Sequence, residues 1–131
     1  MSKTDRVASR VLAVLVGAVL FFILPLTLGA LLGDETPLML PAHAVAYGLA
    51  GAVFGLLRPE GGWRWGLYLM AVWPPLLLFA LLLGGEVLLE GKWTGVLHDL
   101  LEFVIVLVAA CFGAGVGAIA GRRRRPDRGA A

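Results

Sequence analysis

The distribution of lysine and arginine along the chain constrains its fold more than any other feature of the sequence. Four apolar runs divide the 131 residues, and ten of the eleven basic residues lie before the first run, between the second and third, or after the fourth. These ten are Lys3, Arg6, Arg10, Arg58, Arg64, Arg122, Arg123, Arg124, Arg125 and Arg128. Only Lys92 lies elsewhere, between the third and fourth runs. Because basic residues accumulate in cytoplasmic loops, the pattern predicts four membrane spans with both termini in the cytoplasm.

The apolar runs are long enough for this interpretation. They cover residues 11–32, 38–57, 66–83 and 103–120, and a bilayer core about 30 Å thick takes roughly 20 helical residues to cross. The composition agrees, since 60% of the residues are hydrophobic and only 15% are charged. In lipid, backbone polar groups must be satisfied internally, and this chain supplies too few strands for a closed barrel. The spans are therefore predicted to be helices.

We predict an all-α fold, a four-helix transmembrane bundle of two antiparallel hairpins, with spans at about residues 10–33, 38–57, 65–84 and 97–121. Residues 1–9 would be a cytoplasmic N-terminal tail and residues 122–131 a basic cytoplasmic tail. Outer loops are expected around Asp34 and from Gly84 to Val96. Pro74 and Pro75 should interrupt the third helix, because proline cannot donate a backbone hydrogen bond. The predicted location is the cytoplasmic membrane of a prokaryote, as a multi-pass protein.

The basic C-terminal tail is first of all a topology signal. At the membrane surface it would also attract anionic lipid, by about 1 kcal/mol per basic residue. The formal net charge of +2 is explained by this segregation, so no nucleic-acid partner is predicted. The single Cys111 excludes an intrachain disulfide and any metal centre built from several cysteines.

Glycines recur at short, mostly four-residue spacing on two of the predicted helices. They are Gly48, Gly51 and Gly55 on the second helix, and Gly113, Gly117 and Gly121 on the fourth. Membrane helices have no hydrophobic drive to associate, and such stripes let their backbones approach closely. The stripes predict either packing of the second helix on the fourth within one chain or an interface between copies of the chain or with another membrane protein. The sequence leaves these alternatives open.

Polar residues in or near the apolar core gather toward the predicted outer side. They are His43 and Tyr47 on the second helix, and His98, Asp99 and Glu102 at the start of the fourth. Counting about 1.5 Å per residue from Arg58 places His43 about 22 Å from the inner boundary, inside the apolar region. An ionisable residue at that depth is a functional hypothesis; the alternative is a neutral imidazole with a structural hydrogen bond. Glu102 shares a helix face with Gly113, so we expect it to approach His43.

No motif specific to a reaction occurs in the sequence. A nucleophile elbow, a His-Glu-x-x-His pattern and a phosphate-binding glycine loop are all missing, so we predict no enzyme, no catalytic residue and no cofactor. A bis-histidine haem and a divalent metal at the polar cluster are less favoured alternatives. The predicted function is a structural or accessory role in the membrane, with self-association or membership of a larger complex left open. The alternative is a small oligomeric transporter or channel that uses the His/Glu polar cluster.

Overall fold

A computed structural model of the chain describes residues 2–33, 37–84 and 93–125, and the regular structure in these ranges is helical. The helices are α1 (Lys3–Leu32), α2 (Met39–Leu57), α3 (Arg64–Leu69), α4 (Trp73–Gly84) and α5 (Thr94–Arg124). Helices α3 and α4 are consecutive parts of one apolar stretch. With α3 and α4 counted as one, four helices are long and apolar enough to cross a membrane. The prediction of an all-α chain with four such helices is confirmed.

The first and last helices extend beyond the predicted spans. Helix α1 begins at Lys3, because Ser2 and Asp5 form a capping box in which each side chain accepts a hydrogen bond from the other residue's backbone N–H. Helix α5 continues to Arg124, and its last turn carries three arginines that interact favourably with the helix dipole. The start of an apolar run therefore does not mark the start of the helix. Residues 34–36, 85–92 and 126–131, which include most of both predicted outer loops, lie outside the described residues.

The interruption expected from Pro74 and Pro75 occurs one turn before them. Residues 70–72 form turns rather than helix, and the two prolines are the second and third residues of α4. Proline is tolerated in the first turn of a helix, where a backbone N–H has no intrahelical partner. The pair therefore starts a new helix instead of bending an existing one.

The most extensive contact between elements joins α2 to α5. Three glycines of α5 each lie against a backbone carbonyl of α2, so closely that an added methyl group would overlap it. The pairs are Gly113 with Gly48, Gly117 with Ala52, and Gly121 with Leu56. The partners in each pair are 65 residues apart (113 and 48, 117 and 52, 121 and 56). Because this offset is constant, α2 and α5 advance in the same direction. We call this contact the α2–α5 seam.

Two further glycine contacts attach α1 and α3. The buried face of α1 consists of Ser9, Ala13 and Gly17, and a methyl group on Gly17 would overlap the backbone of Leu69 at the end of α3. Gly66 of α3 lies equally close to the backbone of α5 at residues 110 and 111. Close backbone approach thus joins α1 to α3 and α3 to α5, as it does α2 to α5. Helix α4 makes only a small contact with α5.

One end of the bundle gathers arginines from separate parts of the chain. Arg122 donates to the carbonyl of Pro59 over 3.2 Å, and Arg125 donates to that of Leu57 over 3.1 Å. The Trp65 indole N–H donates to the Arg58 carbonyl over 2.8 Å. These carbonyls lie at or just beyond the end of α2, where no helical N–H is available to them. We call this region, where α2 and α5 end and α3 begins, the arginine end.

The seam predicts opposite effects for two neighbouring glycines of α5. Gly117→Ala should destabilise the protein by about 1–3 kcal/mol, because the methyl group forces two backbones apart. Gly115 has no atom within 4 Å of the position of an added methyl group. Gly115→Ala should therefore be neutral or stabilise by up to about 1 kcal/mol, through the higher helix propensity of alanine. Thermal unfolding in mild detergent, followed by circular dichroism, measures both. Equal stability of the two variants would mean that the seam does not exist.

Candidate functional site

The five predicted polar residues lie in two separate groups. His43 and Tyr47 are buried, with exposed fractions of 6% and 0%. His98 and Asp99 are exposed at the start of α5, and Glu102 is half-buried beside them. His98 Nδ1 lies 3.6 Å from Glu102 Oε1. The first group is therefore an interior cluster and the second a surface cluster.

The Tyr47 hydroxyl joins three helices in the interior. It donates a hydrogen bond of 2.6 Å to the carbonyl of Gly17 on α1, and it accepts one of 3.0 Å from the Trp73 indole N–H on α4. Buried polar groups cost free energy unless they are paired, and here the hydroxyl and the indole N–H satisfy each other. The arrangement fixes α1, α2 and α4 relative to one another at this level of the bundle.

His43 extends the interior cluster by ring contacts. Its Nδ1 lies 2.9 Å from the Met39 carbonyl oxygen, which can only accept, so Nδ1 carries the proton. The imidazole is stacked on Tyr47 at a centroid distance of 6.4 Å and meets the edge of Trp73 at 5.7 Å. Within the described residues, no buried side-chain nitrogen or oxygen lacks a hydrogen-bond partner.

Trp73 contacts both helices that carry the expected His43–Glu102 pair. Its indole contacts His43 on one helix and Phe103 on another, the latter at a centroid distance of 6.1 Å. It also meets Phe21 of α1 edge to face at 5.1 Å. Trp73 thus packs on His43 and on the residue that follows Glu102 in the sequence. In the described part of the chain, neither a hydrogen bond nor an ion pair joins His43 to Glu102.

All six glycines predicted for packing lie on the facing sides of α2 and α5. Besides the three pairs of the seam, Gly51 lies against the carbonyl of Ala110 and Gly55 against that of Ala114. Gly48 is less crowded, with 3.4 Å between an added methyl carbon and the Ala109 oxygen. The contacts described here are all within one chain.

Sequence reasoning missed three residues on which this arrangement depends: Gly17, Gly66 and Trp73. Gly17 had a signal, since Ser9, Ala13 and Gly17 repeat a small residue every four positions, the pattern that was noticed on the other helices. Gly66 is isolated in the sequence, so no spacing pattern indicated that it packs closely. Trp73 could not be predicted, because the sequence of an apolar helix does not show which of its large side chains faces the interior.

The surface cluster brings together potential metal ligands. One ligand atom from each of His98, Asp99 and Glu102 lies within 4.8 Å of the others. Imidazole and carboxylates suit several divalent metals. However, two of the three side chains are exposed, and exposed acidic groups of this kind are common without a metal. We therefore assign no metal to them.

Comparison of the chain with models of protein families, with curated proteins and with solved structures finds no match.

The hydrogen-bonded hydroxyl predicts a specific loss on its removal. Tyr47→Phe should destabilise the protein by about 1–2 kcal/mol, because it leaves the buried Trp73 N–H without an acceptor. Tyr68→Phe is the matched control. No hydrogen bond of the Tyr68 hydroxyl is recorded in the described part of the chain, so its loss should change stability by less than about 0.5 kcal/mol. Detergent unfolding of both variants tests this, and equal losses would contradict the bridging role of Tyr47.

Proposed function

We propose that this chain is a multi-pass integral membrane protein with a structural or accessory role, acting alone or as a subunit of a larger membrane complex. The α2–α5 seam carries the proposal. Where backbone lies on backbone, without space for a methyl group, no pathway for water or solute fits between the two helices that contact each other most.

Insertion in a membrane is supported by the placement of side-chain sizes. Small residues occupy the helix contacts, whereas large apolar side chains cover the outside. Leu26, Leu31 and Phe112, for example, are each at least 73% exposed. A water-soluble protein rarely exposes large contiguous apolar patches. In lipid such a surface costs nothing, and small residues at helix contacts are the usual arrangement.

The proposed topology places the arginine end and both termini in the cytoplasm, with two antiparallel hairpins in the cytoplasmic membrane of a prokaryote. Two observations support it. The basic residues described at this end come from α1, the loop after α2, α3 and α5, and cytoplasmic loops favour such charge. The parallel course of α2 and α5 also requires the intervening chain to return across the membrane once. Anionic lipid is the proposed partner of the basic C-terminal tail.

The interior cluster supports a structural rather than a catalytic role. The Tyr47 hydroxyl uses its only proton on the Gly17 carbonyl, and the Trp73 N–H is used on Tyr47. His43 stacks on Tyr47 without a hydrogen bond between them. Such an arrangement holds helices together but offers no continuous chain of donors and acceptors along which a proton could move.

The second candidate function is a small oligomeric transporter or channel. One observation favours it: His43 is an ionisable residue buried on a membrane-spanning helix, and such residues are functional candidates by default. Histidine changes charge near neutral pH more readily than other side chains. Because the seam leaves no pathway between α2 and α5, the route proposed for this function lies between subunits.

Proton flux separates the two functions. The purified protein is reconstituted in liposomes that contain a pH-sensitive dye, and the decay of an imposed pH gradient is recorded. We expect the pH gradient to decay in liposomes that contain the wild type or His43→Ala at the same rate as in protein-free liposomes. Light scattering in mild detergent gives the mass of the protein. A mass near the 13.9 kDa of one chain indicates that the protein acts alone. A larger mass without proton flux indicates a subunit of a complex.

Transport would produce a different pattern. The wild type would accelerate the decay, His43→Ala would remove the acceleration, and the exposed control His98→Ala would retain it. That combination of results would contradict the structural role and support the transporter.

A further inference from the structure

The apolar stretch that contains α3 and α4 is interrupted at residues 70–72. Two backbone hydrogen bonds here join residues three apart, from the Ala71 N–H to the Tyr68 carbonyl (3.2 Å) and from the Trp73 N–H to the Met70 carbonyl (3.1 Å). Such bonds tighten the chain into turns and do not continue the α-helical pattern, in which each N–H bonds to the carbonyl four residues earlier. We call residues 70–72 the break.

The two prolines after the break keep the helical hydrogen bonds interrupted. The Ala71 carbonyl would accept from residue 74 in a turn or from residue 75 in an α-helix, and both are prolines, which have no N–H. In a continuous helix, about four backbone hydrogen bonds cross every junction between residues. In the described part of the chain, only the Trp73 N–H donates across the junction between Ala71 and Val72. The backbone therefore resists bending less at the break than in a regular helix.

The segment before the break is firmly packed. Gly66 of α3 lies against the backbone of α5, and Leu69, at the end of α3, is fully buried against Gly17 of α1. Neither glycine has space for a methyl group. Because such close-packed contacts yield little, α3 is held between α1 and α5.

The segment after the break is packed chiefly through its first residue. Trp73 is buried, whereas residues 74–83 are exposed or half-buried. Helix α4 makes only a small contact with α5, and its exposed side chains include Leu78, Phe79 and Leu82. Segments with few buried apolar contacts move at a low cost in free energy. The packing thus holds α3 on two sides but leaves most of α4 without close neighbours in the described chain.

The Trp73 side chain holds the base of α4 against three other helices. Its indole N–H donates to the Tyr47 hydroxyl over 3.0 Å. Its ring packs on Phe21, His43 and Phe103 at centroid distances of 5.1, 5.7 and 6.1 Å. These contacts lie one residue beyond the break. A movement of the base of α4 therefore has to separate this ring from the interior cluster.

We propose that the break is a hinge on which α4 swings relative to the other helices, and that Trp73 is the latch that holds α4 in the position described here. Hinges are short segments that absorb changes in φ and ψ between rigid elements. Helix α4 has 12 residues and is about 18 Å long. A swing of about 20°, the angle of a sharp helix kink, displaces its free end by about 6 Å. Release of the latch uncovers His43 and Tyr47.

The hinge depends neither on the proposed topology nor on the expected lack of proton flux. It concerns the position of α4 relative to the other helices of one chain, and distances within the chain test it directly. Failure of the hinge would leave the structural role intact, so the two results are distinguishable.

The test measures two distances in the full chain by double electron–electron resonance, in lipid nanodiscs and with the labelled protein diluted by unlabelled protein. With Cys111 replaced by serine, one spin label is attached at Leu57→Cys on α2. The second is attached at Leu82→Cys on α4 or at Leu101→Cys on α5, and all three positions are exposed. The α5 pair is the matched control, because α5 is continuous and the seam holds it to α2. We expect the α4 distance distribution to be broader than the control by about 6 Å.

Two variants act on the hinge and on the latch. Pro74→Ala/Pro75→Ala supplies the missing N–H groups, so the helix can continue across the break and the α4 distribution should narrow to the width of the control. Trp73→Leu removes the latch, so the α4 distribution should broaden while the control pair keeps its distance. If Trp73→Leu does not fold, Tyr47→Phe, which removes only the hydrogen bond, takes its place. Equal widths of the two pairs in the wild type, or no narrowing in the proline variant, would overturn the hinge. No broadening in the latch variant would overturn the role of Trp73.

Discussion

Close contact between the backbones of α2 and α5 is the interaction on which the rest of the structure depends. In lipid, apolar side chains gain little by moving from the bilayer to a neighbouring helix, so association relies on the dispersion forces of surfaces in direct contact. Because the glycine pairs keep a constant offset of 65 residues, this contact recurs at every turn of α2 from Gly48 to Leu56. Because the two helices advance in parallel, the chain between them must return along the bundle. Helices α3 and α4 make that return, which places α3 beside α5.

The seam leaves the larger side chains to fill the space between the other helices. Tyr47 and Trp73, with Phe21, occupy the interior where α1, α2 and α4 meet, and their two polar atoms satisfy each other or a carbonyl. The same framework positions the arginine end, because the contact of Gly17 with Leu69 sets the separation of α1 and α3. The close contact of α2 with α5 and the position of α1 beside α3 thus both depend on glycine contacts. They agree with the proposed structural or accessory role.

Much of the helical architecture could be predicted from the sequence, because hydropathy and helix periodicity are local properties. The glycine spacing on α2 and α5 pointed to the residues of the α2–α5 seam but left open whether they pack within one chain or between copies of the chain. Contacts between distant segments were harder. The expected approach of Glu102 to His43 took account of depth and face but not of Trp73, whose ring packs on His43 and on Phe103. The guanidinium of Arg10 lies over the ring of Tyr68, and no spacing rule relates residues so far apart. Helix ends also differed, since capping by Ser2 and Asp5 acts independently of hydropathy.

The most direct measurement of the central claim is the side of the membrane on which α2 and α5 begin. The α2–α5 seam requires both helices to cross in the same direction. With Cys111 replaced by serine, single cysteines at Thr36, Thr94 and Ser2 are treated with a membrane-impermeant thiol reagent in intact cells. We expect Thr36→Cys and Thr94→Cys to react from outside and Ser2→Cys to react only after the membrane is opened. Labelling of positions 36 and 94 from opposite sides, or of all three from one side, would contradict it.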